Sequence, residues 1–188
     1  MDDSERLSHG LMNGRCQHDA QASGHFQDHS LARRAGESGF CLLVGLGSPH
    51  GDDQAGWLVV SELQRRLAGQ PETLACRLAK SPSDLLDWLD DVAHLIVCDS
   101  CESPTQLGEL RLWHWPADRF MRTRSSSSHQ LGLPDVLDLA TNIGRLPPRV
   151  EIWAIGGGRF SPETEPSQLV REACQQLALQ FWEDFARA

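Results

Sequence analysis

The chain has 188 residues, the length of a single domain with room for an appendage, and a formal net charge of −9 at pH 7. This acidic balance disfavours binding to nucleic acid or to an anionic membrane surface, both of which require clustered Lys and Arg. No apolar run reaches the roughly 20 residues that span a bilayer, and residues 1–5 lack the basic and apolar regions of a secretory signal. These features predict a cytoplasmic protein.

Residues 1–38 are rich in Ser, Gly, Gln, His and Asp and have no apolar periodicity, which predicts a flexible N-terminal tail. The histidines in this segment are irregularly spaced, so a solvated tail is favoured over a metal-collecting one. Residues 39–188 are expected to form one domain.

In the rest of the chain, apolar patterns typical of strands alternate with patterns typical of helices. Strands are expected at Phe40–Leu46, Leu74–Ala79, Ala93–Asp99, Gly108–Trp115 and Arg149–Ile155. Helices are expected at Gln54–Leu67, after a Ser81-Pro82 start as far as Leu89, from His129 through Leu137, and from Ser161 or Pro166 onwards. The last helix carries one apolar stripe, made of Leu169, Ala173, Leu177, Phe181 and Phe185, with Val170, Cys174 and Ala178 beside it. This order predicts a three-layer α/β/α domain with a mostly parallel sheet of about five strands.

Three residues with ionisable side chains are placed to meet at the carboxyl edge of this sheet. Asp53 follows the first strand, Asp99 ends the central strand, and His129 stands where a serine-rich loop enters the third helix. Open α/β sheets bind their ligands at this edge. Two carboxylates and one imidazole form a donor set that suits a borderline divalent metal with open coordination positions. The start of a helix also favours an anionic Asp53 and a neutral His129.

Each of these residues also has a purely structural interpretation, which the sequence leaves open. Asp53 could stabilise the start of a helix, Asp99 could bond to neighbouring loops, and His129 could be an N-cap. His50 is either a fourth ligand or a surface residue. Asp52 is expected to support the turn by accepting hydrogen bonds from backbone amides.

Two further motifs suggest other chemistry. Cys98 and Cys101 form a C-x-x-C pair, but no second pair accompanies it and a loop is expected after it, so Cys98 is interpreted as a buried strand residue. Gly45 and Gly47 suggest nucleotide binding, but the third glycine of that fingerprint is missing and Asp52 would repel a pyrophosphate. A non-catalytic nucleotide-binding or assembly module is the alternative function.

Three segments, in order, resemble the hydrogenase maturation endopeptidases, which trim the C-terminus of the large subunit of nickel–iron hydrogenase. The segment from Gly45 through Asp53 is similar to the family's glycine-plus-acid motif, Leu95–Asp99 to its central strand, and Ser128–Leu137 to its histidine helix. The turn at Leu78–Ser81 and the glycines at 156–158 depart from the family's usual turns, which indicates a divergent member.

The resemblance implies that Asp53, Asp99 and His129 are the catalytic and metal-contacting residues. It implies an endopeptidase that removes a C-terminal peptide from the nickel-loaded precursor of a hydrogenase large subunit. The nickel would be carried by cysteine thiolates of the substrate, with no tightly held cofactor in the enzyme, and a water activated by this metal is a candidate attacker. The expected partner is the precursor, and the enzyme is expected to be a monomer.

Overall fold

The computed structural model describes residues 39–68, 74–103, 105–116 and 131–186. The predicted tail at residues 1–38 lies outside these residues, so the division into tail and domain stays a prediction. His129 itself also lies outside them, but the predicted helix start is wrong, because the helix begins at Leu133 with Gly132 as its N-cap. Among the described helices, none is long and apolar enough to cross a membrane.

Five strands form one sheet: β1 (Phe40–Leu46), β2 (Leu74–Ala79), β3 (Val92–Glu102), β4 (Leu110–Trp115) and β5 (Arg149–Gly157). Their order is β2-β1-β3-β5-β4, and every neighbouring pair is parallel except β4 and β5. β1 and β5 are buried over almost their whole length, whereas β4 is half-buried along the sheet edge. The predicted sheet, including its half-exposed edge strand, is confirmed.

Helices cover both faces of this sheet. α1 (Ala55–Leu67) continues a 3-10 helix at Gly51–Gln54 and packs with α3 (Gln168–Ala186) on one face. α2 (Leu133–Asn142) and a 3-10 helix at Pro82–Asp87 pack on the other face. Since successive strand residues point to opposite faces, Leu43 and Leu42 belong to different cores. The predicted three-layer α/β/α architecture is confirmed.

The central strand is longer than predicted, so Asp99 does not end it. β3 continues to Glu102 because the residues from Asp99 onwards stay paired with Ala154–Gly157 of β5. This pairing outweighs the local turn preference of Ser100, which sequence patterns detect more easily than a pairing partner 55 residues away.

The predicted start after Ser81 is confirmed, although the helix differs in type. Ser83 donates its backbone N–H to Ser81 Oγ, and Ser81 donates its own to Asp84 Oδ2, which completes a capping box. The segment is a 3-10 helix that ends at Asp87, before the predicted limit at Leu89.

The predicted apolar stripe of the last helix is wrong at its first member. α3 begins at Gln168, after Pro166, and Leu169 is 52% exposed, whereas Leu177 and Phe181 are fully buried. A spacing of four residues drifts by about 40° at each step, because a helix turns once every 3.6 residues. Leu169 therefore leaves the face that Phe185 shares, and Val170 takes its place in the core.

α2 runs from the carboxyl edge of the sheet to the amino edge. Arg145, which follows the helix, donates a hydrogen bond to Asp90 Oδ1 (3.0 Å), just before the start of β3. The end of α2 is thereby placed at the amino edge, and its ten residues extend about 15 Å the other way. The first turn of α2, at Leu133, faces the edge that carries Asp53 and Asp99.

Candidate active site

Asp53 and Asp99 lie together at the carboxyl edge of the sheet. Asp53 is in the 3-10 helix after β1, and Asp99 is in β3, which pairs with β1. Ser100 connects them, since its hydroxyl donates to Asp53 Oδ1 (2.9 Å) and its backbone N–H donates to Asp99 Oδ1 (2.8 Å). Both aspartates keep some exposed surface. The structure thus brings the two predicted acidic residues together and adds Ser100, which the sequence did not single out.

The two carboxylates oppose each other electrostatically. Burial and the charge of Asp53 together raise the pKa of Asp99 to about 7, and the hydrogen bond from the Ser100 amide only partly offsets them. Near neutral pH the Asp99 carboxyl therefore holds a proton about half of the time. A cation at this position would relieve both the repulsion and the lost hydration.

The third predicted residue, His129, lies outside the described residues. It precedes Leu133 by four positions, and the first turn of α2 is at the carboxyl edge. In the described ranges alone, no group of three or more His, Cys, Asp or Glu side chains is arranged to hold a metal ion. His50 is partly buried, and its Nδ1 is buried without a hydrogen-bond partner in the part of the chain that the structure describes.

Asp52 is held apart from this pair. It is completely buried, and its carboxylate accepts backbone N–H bonds from Gly158, Arg159 and Ser167 at 2.6–2.9 Å. Burial works against the charged form, but these amides lower the pKa of Asp52 below its ordinary value. The predicted bonding of Asp52 to backbone amides is therefore confirmed, but its partners belong to a loop more than 100 residues away rather than to its own turn.

The glycines on either side of the first loop allow α1 to pack closely on the sheet. A Cβ on Gly45 would lie 2.2 Å from the backbone oxygen of Gly56, and one on Gly56 would lie 2.3 Å from the backbone oxygen of Cys98. The start of α1 therefore sits directly on β1 and β3, with no room for a side chain at the crossing. This contact explains the glycine pattern without a bound phosphate.

The C-x-x-C pair does not act as a unit. Cys98 is fully buried in the core under α1 and α3, which confirms its interpretation as a buried strand residue. Cys101 lies three residues further along β3, so its side chain points to the opposite face of the sheet. Side chains on opposite faces of the sheet cannot form a disulfide with each other.

A family comparison decides what kind of protein carries this site. The profile of the HycI hydrogenase maturation proteases matches residues 58–182, well over half of the chain. The chain belongs to the hydrogenase maturation protease family. The predicted family and the predicted enzyme class, a peptide-bond hydrolase, are thereby confirmed. The matched residues include Asp99 and His129 but begin after Asp53, so the assignment of Asp53 depends on its place in the fold.

Solved structures of hydrogenase maturation proteases share this fold. The maturating endopeptidase HybD from E. coli is 20% identical, with a TM-score of 0.64, and the match covers 79% of this chain and 93% of that one. The [NiFe] hydrogenase maturation protease HycI from Thermococcus kodakarensis KOD1 is 21% identical, with a TM-score of 0.61, and the match covers 80% of this chain and 95% of that one. No curated protein matches this sequence significantly. These low identities agree with the predicted divergence.

Proposed function

We propose that this hydrogenase maturation protease removes a C-terminal peptide from the precursor of a nickel–iron hydrogenase large subunit after nickel has been inserted. The observation that carries the proposal is the placement of Asp53 and Asp99, close enough at the carboxyl edge for the charge of Asp53 to raise the pKa of Asp99. Neither carboxylate has an ion-pair partner among the residues that the structure describes.

The donor chemistry of this pair fits a divalent cation that arrives with the substrate. A metal binds ionised carboxylates, so it would take the place of the proton that Asp99 holds at neutral pH. The hydroxyl of Ser100 occupies Asp53 Oδ1 and leaves Oδ2 for the metal. Two oxygens form an incomplete site for a free ion, which suits a metal whose remaining ligands are cysteine thiolates of the precursor.

We assign the third contact to His129. An imidazole nitrogen is a good ligand for nickel, and the sequence keeps this residue within four positions of the first turn of α2. Asp53, Asp99 and His129 would then approach the nickel from three elements that meet at one edge. These three groups would let the protease distinguish a nickel-loaded precursor from a metal-free one, because only the loaded precursor carries the nickel that they bind.

The reaction is hydrolysis of a peptide bond beside the metal. A water molecule attacks the carbonyl carbon of the scissile bond, the C–N bond breaks, and the departing nitrogen takes a proton from the water. The products are a shortened large subunit and a free C-terminal peptide.

The partner in this proposal is the precursor of the large subunit, which the enzyme meets as a monomer in the cytoplasm. The net charge of −9 gives no basis for a nucleic-acid partner. Sedimentation analysis of the purified protein tests the monomer, because a stable dimer would double the measured mass.

Mass spectrometry of the precursor tests the proposed activity. The nickel-loaded precursor should lose the mass of one C-terminal peptide when it is incubated with the wild-type protease, and Asp53→Ala should leave it intact. Asp90→Ala, which removes an exposed carboxylate just before the start of β3 at the opposite edge of the sheet, is the matched control and should cleave normally. An unchanged precursor with the wild-type enzyme, or normal trimming by Asp53→Ala, would refute the proposal.

A further inference from the structure

Asp52 and Asp53, which are adjacent in the first loop, make different contacts. Asp53 contacts Ser100 and faces the carboxylate of Asp99. Asp52 is completely buried, and its carboxylate is bonded to the loop at residues 158–167. The cleavage reaction uses the first of these residues and does not by itself explain the second.

We propose that Asp52 is a positioning residue that fixes the Gly51–Gln54 turn, and with it the carboxylate of Asp53, against the loop at residues 158–167. The inference rests on the peptidase function proposed above, because it concerns how Asp53 is held for that reaction.

The turn and the loop are hydrogen-bonded in both directions. The loop donates three backbone N–H bonds to the Asp52 carboxylate, from Gly158, Arg159 and Ser167. In return, the turn donates the N–H of Asp52 to Arg159 O (2.6 Å) and the N–H of Gly51 to Thr164 O (2.9 Å). Hydrogen bonds between backbone amides and a buried carboxylate are among the stronger ones in proteins. The turn and the loop therefore form one rigid unit.

The Gly51–Gln54 turn and the loop at residues 158–167 are in close backbone contact. Gly51 has a φ of +54°, and a Cβ there would lie 2.2 Å from the backbone oxygen of Arg159. A Cβ on Gly157, at the end of β5, would lie 2.9 Å from the Cβ of Asp52. The backbones approach as closely as glycines allow, so the turn cannot shift without moving the loop.

The position of Asp53 depends on this contact. Its backbone bonds stay inside the first loop, where its N–H donates to His50 O (3.1 Å) and its oxygen accepts from Ser48 (3.3 Å). These bonds fix the conformation of the loop but not its position relative to β3. Two contacts fix that position: Gly56 of α1 packs against the sheet, and Asp52 accepts hydrogen bonds from the loop at residues 158–167. Loss of one support should displace Asp53 while α1 keeps the domain folded.

Replacement of Asp52 distinguishes positioning from general stabilisation. Asp52→Ala removes all three acceptor bonds. Asp52→Asn keeps the volume and one acceptor oxygen, but its NH2 group would face a backbone N–H donor. Glu151→Gln is the matched control, since Glu151 is also a completely buried, hydrogen-bonded carboxylate but lies near the opposite edge of the sheet. Denaturant unfolding of the full-length proteins, repeated at several temperatures, identifies a temperature at which all of them are folded.

Steady-state kinetics on the nickel-loaded precursor at that temperature is the test. Both Asp52 variants should lower kcat by about 10- to 100-fold, as expected for a displacement of about 1 Å, with KM within about threefold of the wild-type value. Hydrogen exchange of the Asp53 amide should accelerate in both variants, and Glu151→Gln should change neither readout.

Three results separate this inference from the function on which it rests. Folded Asp52 variants with wild-type kcat would overturn the positioning role while leaving the peptidase function intact. Unchanged hydrogen exchange at Asp53 in Asp52→Asn would overturn it as well, even if Asp52→Ala does not fold. A wild-type enzyme that leaves the precursor uncleaved would instead refute the peptidase function.

Discussion

The pKa values of Glu151 and Asp99, which lie near opposite edges of the sheet, are shifted in opposite directions. Near the amino edge, burial works to raise the pKa of Glu151, but His94 and Arg149 lower it to about 2. At the carboxyl edge, burial and the charge of Asp53 both raise the pKa of Asp99, to about 7. The difference lies in the neighbours, since Glu151 lies beside the Arg149 guanidinium and the His94 ring, whereas Asp99 faces a second carboxylate. Among the described residues, no cationic side chain pairs with Asp53 or Asp99, and an external cation is expected at this position.

The partners of Glu151 make the amino edge a stabilising element. Arg149 Nε donates to Glu151 Oε1 (3.0 Å), and Trp153 Nε1 donates to Oε2 (3.3 Å). His94 Nε2 lies 3.4 Å from Oε1. Arg149 and Trp153 belong to β5, like Glu151 itself, so their bonds stabilise the buried charge within one strand, and of these three partners His94 alone comes from β3. At the carboxyl edge, Asp53 and Asp99 have no such cationic partner among the described residues, which is the usual cost of a functional site.

Asp99→Asn should produce the largest change. The variant removes a proposed metal contact, so the rate of precursor cleavage should fall by more than about 100-fold. It also removes a charge that repels Asp53. Because the folded-state pKa is raised, ionisation of Asp99 costs stability as the pH rises through about 7. At pH 8.5 the variant should therefore be more stable than the wild type by about 1 kcal/mol, after allowing for the partial exposure of the group.

Initial rates and urea unfolding at pH 8.5 and pH 5 check this prediction. The stability gain should be smaller at pH 5 and vanish only below the ordinary value of 3.8, because between 3.8 and about 7 the carboxyl is ionised in the unfolded chain and protonated in the folded one. A variant that is active and less stable at pH 8.5 would show that Asp99 is a structural residue, like Glu151.

Glu151→Gln should show the opposite behaviour. Removing one partner leaves Arg149 without its counter-charge, so the free energy of unfolding should fall by about 2 kcal/mol, less than for a fully buried pair because Arg149 is partly exposed. The cleavage rate should be unchanged at temperatures where the variant is folded. The pKa of Glu151 is depressed, so its stabilising effect is present above its ordinary value of 4.5 and is lost as the pH falls towards about 2.

Urea unfolding between pH 2 and pH 6 measures this contribution. The difference between wild type and Glu151→Gln should shrink steadily below pH 4.5. A difference that stays constant over this range would mean that the amino-edge network does not stabilise the ionised carboxylate.

The pH dependence of cleavage tests the raised pKa that distinguishes Asp99 from Glu151. Because the metal requires an ionised Asp99, the rate should fall by about tenfold for each pH unit below about 7 and level off above it. Carboxyl carbon NMR of the free enzyme should report a midpoint near 7 for Asp99, and a lower one in Asp53→Asn. A midpoint near 4 in the wild type would remove the electrostatic basis of the site.

Ser100→Ala should have the smallest effect. The variant deletes one hydrogen bond to the charged Asp53 carboxylate, which is worth about 1.5 kcal/mol, so kcat should fall by about tenfold. Ser100→Thr keeps the hydroxyl on a strand position that tolerates a β-branched side chain, and should restore most of the rate. Equal loss in both variants would place the effect of Ser100 in packing instead of in the hydrogen bond.

Local patterns in the sequence were sufficient to predict the layers of the fold. The strands β1 and β3 are continuous apolar runs, and the rule that ligands bind beyond the carboxyl ends of parallel strands placed Asp53 and Asp99 at one edge. The end of β3 and the first turn of α3 were mispredicted, because sheet pairing and the face of a long helix depend on partners distant in sequence.

The supports of the site could not be predicted for the same reason. Asp52 is bonded to residues more than 100 positions away, and Ser100 lies 47 positions from Asp53. One indication was present, since Glu151 stands between Val150 and Ile152 in an otherwise apolar strand. A charge in such a position indicates a buried ionic partner, although the sequence does not identify it.

Cleavage of matched precursors with and without nickel tests the function most directly. The wild-type protease is incubated with the same precursor in both states, and the C-terminal mass is followed over time. We expect the nickel-loaded precursor to lose its C-terminal peptide and the metal-free precursor to stay intact, because only the former brings a cation to Asp53 and Asp99. Equal trimming of both precursors would contradict a site completed by the metal of the substrate.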